Sequence, residues 1–137
     1  MTAGELAAAA RALVHGGGNR AERSGEPGTT ADLRTAADLA GVWPRAVALL
    51  ARQALERGLD DLWGALAPRV RGVSRHAQLV CLGAFVSDAE LVSDVRHAWH
   101  GLSRACHHQA YELSPTAGEL THWLDAVDRL VAHDPLT

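Results

Sequence analysis

Four histidines, an arginine and a tyrosine recur between His97 and Tyr111 at spacings that a single helix would line up. At 100° per residue from His97, His100 falls at about 300°, Arg104 at about 340°, His107 at about 280°, His108 at about 20° and Tyr111 at about 320°. All six share an arc of roughly 100°. Val92, Val95, Trp99, Leu102, Cys106, Ala110 and Leu113 fall on the other side, the expected core face. An imidazole can exchange a proton near neutral pH while a fixed guanidinium holds a phosphate, so the strip suits binding or processing of a polyanion. A plain solvated face is the alternative, although four histidines are unusual where Glu or Arg would serve. A metal would want three or four ligands about 2 Å away, and one helix rarely closes such a site alone. No Asp or Cys shares the face, so neither a metal nor a cofactor is expected.

The elements that must hold this strip read as helices throughout. Ala3 to Val14 forms a first helix that Gly16-Gly17-Gly18 should break, leaving residues 15–29 as a polar, mobile loop. Thr29 and Thr30 cap a short helix with Leu33, Ala36, Ala37 and Ala40 on one face, closed by Gly41. Pro44 suits the first turn of the next helix, whose apolar stripe is Val47, Leu50, Ala54, Leu55, Leu62, Trp63 and Leu66. Pro68 ends it, and the turn that follows carries a local basic patch of Arg69, Arg71 and Arg75. Ser74 to Val86 is a shorter helix expected to bury Ala77, Val80, Cys81, Ala84 and Phe85. Ser87 and Glu90 have capping-box spacing and open a helix expected to run unbroken to Leu113. Ser114-Pro115-Thr116 stops that helix and caps the last one, in which Leu120, Trp123, Leu124, Val127, Leu130 and Val131 recur at helical spacing. No segment reads as a strand.

Composition agrees with one all-α domain over residues 1–137. The 47% hydrophobic share leans on Ala and Leu, with one Phe, one Tyr and no Ile. All 13 basic residues are Arg, a mark of GC-rich coding as in an actinobacterium. A net charge of −3 gives the whole chain no polybasic pull towards nucleic acid or anionic lipid. There is no signal-like start and no apolar run of membrane-spanning length, so a cytoplasmic protein is expected. Cys81 and Cys106 have no framework spacing and are expected to be buried free thiols. The four tryptophans, Trp43, Trp63, Trp99 and Trp123, are expected in the core rather than as stacking platforms for bases.

Two stretches together resemble the HEPN superfamily of helical domains. Leu50-Ala51-Arg52-Gln53-Ala54-Leu55-Glu56 resembles the R-x-A-L-E signature on a long early helix of those bundles. Leu102-Ser103-Arg104-Ala105-Cys106-His107-His108, followed by Thr116-Ala117-Gly118-Glu119-Leu120, resembles their later helix and the T-x-x-E-capped helix after it. The resemblance covers residues 44–132. It implies an antiparallel helical bundle, a homodimer meeting through the histidine-bearing face, and a partner that is RNA or protein. Many members are metal-independent endoribonucleases of toxin or phage-defence systems, and others serve as binding modules. Carried onto this chain, His107 or His108 would be the general base at a ribose 2′-hydroxyl and Arg104 would stabilise charge on the phosphate. Ser103, His97, His100 and Tyr111 would line the binding face. Catalytic members separate Arg from His by four to six residues. Here two residues separate Arg104 from His107 and three separate it from His108. The resemblance therefore implies a degenerate, non-catalytic interaction module, with the endoribonuclease as the alternative.

Overall fold

The structure, a computed structural model, describes residues 1–23, 30–107 and 113–135, with side chains described outside residues 17–41. Among the described residues it is an all-α bundle of five helices with no strand. They are α1 (Ala3–Arg23), α2 (Thr30–Leu66), α3 (Arg75–Phe85), α4 (Ala89–Cys106) and α5 (Ala117–Ala132), with a 3-10 turn at Pro68–Gly72 between α2 and α3.

Helix α2 is the spine. Its residues Val47, Ala48, Ala51, Ala54, Leu55, Leu59, Leu62 and Trp63 are all buried, an apolar face wide enough to receive α1, α4 and α5 together. Side-chain pairs fix the directions. Arg11 of α1 reaches Asp125 and Asp128 of α5 (2.9 and 2.6 Å), while Ala3 lies by Leu130 and His133, so α1 and α5 run antiparallel. Asp94 of α4 pairs with Arg129 of α5 while Gly101 lies under Trp123, so these two are antiparallel as well. The helix starts are capped as their residues allow. Ser74 accepts from the Ala77 amide, and Thr116 and Glu119 form a reciprocal capping box.

Five sequence expectations are corrected. Helix α1 does not stop at Gly16 but runs through the three glycines to Arg23, so of the expected loop only residues 24–29 lie outside the described residues. Glycine penalises a helix by about 1 kcal/mol against alanine and does not forbid it. Gly41 does not close a helix and Pro44 does not open one, because α2 passes through both. An interior proline costs about 3 kcal/mol, and the buried turns that follow, from Val47 to Leu55, offset it. The cap of α4 is Asp88 rather than Ser87. Its carboxylate accepts from the Leu91 amide (3.1 Å), where its charge also favours the helix dipole. Helix α4 ends at Cys106, because His107 turns to extended backbone (φ −90°, ψ 90°), and of the rest of the expected helix residues 108–112 lie outside the described residues while Leu113 is 97% exposed.

The fifth correction concerns α3, which is rotated from the expected orientation. It buries Gln78, Leu79 and Leu82, leaving Val80 63% exposed and Cys81 and Ala84 also in solvent. Phe85 is partly exposed but turns its ring edge-on to Trp63, with centroids 5.1 Å apart. The pivot is Gln78, a polar residue that an apolar stripe omits. Its Nε2 donates to the carbonyls of Val70 (3.0 Å) and Val73 (3.1 Å), with a longer contact to that of Arg71 (3.4 Å). Its Oε1 accepts from Arg75 (2.9 Å), whose guanidinium also donates to Asp60 of α2 (2.7 Å). A buried amide satisfied on both sides is stable where an unsatisfied one would be costly.

The hydrogen bond from Arg75 holds the Asp60 carboxyl below its ordinary range against the opposing effect of burial, with the charges of Arg75, Arg71 and Arg57 adding to it. A carboxylate depressed on folding stabilises the native state above its unfolded pKa of about 3.9 and loses that contribution as pH falls through the folded value. Urea unfolding of wild type and Asp60→Asn should therefore differ at pH 6 and converge as the pH drops below about 4.

Candidate functional site

Helix α4 carries the histidine strip through the middle of the domain. Its apolar face buries Leu91, Val92, Val95, Ala98 and Leu102 against α2 and α5, and this fixes the rotation of the helix. His97, His100 and Arg104 then emerge into solvent on the opposite side, as their spacing predicts. The helix is continuous through Gly101, so no break separates them. His107 is also exposed, but as the C-cap residue, with extended backbone (φ −90°, ψ 90°) and its amide bonded to the Ser103 carbonyl at 3.2 Å. His108 and Tyr111 lie outside the described residues.

Ser103 stands apart from the strip. It is half-buried, and its hydroxyl is shielded from solvent with no hydrogen-bond partner among the described residues. Trp99 and Cys106, expected in the core, are half-buried at its edge. Trp99 is covered by the Arg52 guanidinium, 4.9 Å above the ring centroid, and Arg52 is held in turn by Glu56 at 3.3 Å. The R-x-A-L-E stretch thus uses its Arg and Glu to brace α2 against α4. Of the other tryptophans, Trp63 and Trp123 are buried and Trp43 is half-buried, as core residues should be.

The structure adds one residue to the strip that sequence did not offer. His122 of α5 is exposed, and its ring meets that of His97 edge-on, with centroids 6.2 Å apart at 68°. Its only sequence mark is that it sits between Leu120 and Trp123, off the apolar stripe. Which α4 residue it faces depends on the register between two helices, and that register is set by Trp123 lying over Gly101. Arg96 was also missed as a structural group. Its guanidinium donates to the Leu79 (2.8 Å) and Val80 (3.1 Å) carbonyls and ties α4 to α3.

Arg104 makes no ion pair with any described residue, so its guanidinium is available to an incoming anion. The expected basic patch is partly spent. Arg75 is committed to Asp60 and Gln78, while Arg69 and Arg71 remain exposed on the 3-10 turn. Two concavities of about 250 and 320 Å³ lie away from the strip, one between α1, α2 and α5 and one between α3 and α4. No helix among the described residues is long and apolar enough to cross a membrane. Compared with protein-family models, curated proteins and solved structures, the chain matches none.

Proposed function

We propose that this chain is a HEPN-like interaction module that works as a homodimer and engages RNA or a protein partner through the open face of α4. The observation that carries this reading is the exposed, unbroken run of His97, His100 and Arg104, continued by His107 and joined from α5 by His122. Such a face offers several imidazole donors and acceptors and one fixed positive charge over about 15 Å, three helical turns. Binding fits it better than catalysis. A general base and an oxyanion partner work best where neighbours hold them and water is excluded. Arg104 and His107 both stand in solvent, and among the described residues no side-chain hydrogen bond or ion pair braces either of them.

Light scattering at pH 7.5 should give a dimer mass. A monomer removes the dimer. With fluorescent single-stranded RNA, Arg104→Ala should weaken binding and reduce the salt slope by about one. An acidic protein partner would instead leave RNA anisotropy flat for wild type and variant alike. The endoribonuclease alternative keeps one supporting feature, the presence of Arg104 and His107 together at the end of α4. If it holds, RNA is cut in EDTA to leave a 2′,3′-cyclic phosphate. Loss of cutting by about 10²- to 10⁴-fold in Arg104→Ala and His107→Ala, but not in His133→Ala, would establish it. The binding reading expects RNA to stay intact.

A further inference from the structure

We propose that His97 and His122 form a two-histidine site for a divalent transition-metal ion of the Cu²⁺, Ni²⁺, Zn²⁺ class, clamping α4 to α5. The pair belongs to the face proposed above to meet a partner, but metal binding needs neither the dimer nor that partner, so each can fail without the other. One helix rarely closes a metal site alone, and here α5 supplies a ligand from a second helix. An imidazole nitrogen binds such an ion at 2.0–2.1 Å and the ring centroid lies about 1.1 Å behind it. Two rings on one ion are therefore roughly 4.5–6.4 Å apart, for ligand angles from 90° to 180°. The observed separation is 6.2 Å, near the wide-angle end of that range and about 1 Å more than a tetrahedral pair, so the rings must turn towards each other to take Zn²⁺. Both rings are exposed, so side-chain rotation alone can turn a nitrogen of each towards a common point, and the helices need not move.

The helices on which they stand are held in register on either side. Asp94 and Arg129 pair across the seam, and Trp123 lies over Gly101. The ligands are thus presented by rigid elements, which lowers the entropic cost of binding. No group of three or more His, Cys, Asp or Glu converges among the described residues, so two protein ligands hold the ion and water completes its shell. A site of this kind favours imidazole-seeking ions over Mg²⁺ or Ca²⁺, which want oxygen, and should rank Cu²⁺ above Ni²⁺ and Zn²⁺.

Calorimetric titration of the full chain with NiCl₂ and ZnCl₂ at pH 7.5 tests this, with MgCl₂ as the oxygen-seeking control. One ion should bind per chain, with no heat from Mg²⁺. His97→Ala and His122→Ala should each weaken binding at least about tenfold, the lower end of what losing even an outer-shell partner brings, while His76→Ala should not. In histidine-detected NMR, one equivalent of Zn²⁺ should move the His97 and His122 ring signals together. Affinity should fall on acidification, because protons compete with the ion for both ligands. Unchanged binding in His97→Ala and His122→Ala overturns the site, as does a Zn²⁺ titration that moves His100 and His107 instead.

Discussion

Gly101→Ala should destabilise the fold by about 2 kcal/mol or more, although alanine is the better helix former by about 1 kcal/mol. A Cβ at this position would lie 2.3 Å from Cζ2 and 2.5 Å from Cε2 of Trp123. An indole ring that is 7% exposed and wedged into the α4–α5 seam has nowhere to retreat, so the helices themselves must part by about 1 Å. The matched control is Gly83→Ala on α3. There the new methyl meets only Arg96 at 3.6 Å and Val92 at 3.9 Å, which is ordinary contact. That variant should gain up to about 1 kcal/mol. Urea unfolding followed by tryptophan fluorescence should return opposite signs for the two. Equal effects would mean that the close crossing of α4 and α5 does not exist in solution.

The second large effect is expected at Gln78. Gln78→Met keeps the volume and removes every hydrogen bond of the amide, taking the side-chain donor from the Val73 carbonyl, one of two donors from the Val70 carbonyl and one of two acceptors from Arg75, which keeps Asp60. A buried group left unmet costs about 1–3 kcal/mol where water cannot reach it, so a loss of about 1–3 kcal/mol is expected. By contrast, Val80→Ser on the outward face of the same helix should change stability by less than about 0.5 kcal/mol, since that side chain is 63% exposed. If Gln78→Met is as stable as wild type, α3 is oriented as its apolar stripe suggested, with Val80 inward.

Those two residues show where sequence was legible and where it was not. Helical periodicity identified the exposed side of α4 correctly for His97, His100 and Arg104, because a charged and imidazole-bearing arc opposite Val92, Val95 and Leu102 admits one orientation. The cap at Thr116 was equally plain, being local chemistry within four residues. The orientation of α3 was not, because an 11-residue helix with apolar residues on most sides has no decisive stripe, and one buried amide turned it. The end of α4 at Cys106 was missed because no residue type there marks a stop. His122 was invisible as a partner of His97, since contacts between helices depend on register. Continuity through Gly16–Gly18 and Pro44 shows breakers outweighed by the elements around them.

The attachment of α3 has a thermodynamic consequence. Few side chains of this helix are buried, and Gln78 and Arg96 supply its described polar ties to the 3-10 turn and to α4. Releasing it would break those bonds and uncover Leu79, Leu82 and the Phe85 edge of Trp63, while the apolar interior shared by α1, α2, α4 and α5 stayed closed. Opening free energies are lowest where buried apolar contacts are fewest, so the molecule has two tiers of cooperativity, a four-helix unit that unfolds globally and a hinged segment that can swing out below that threshold.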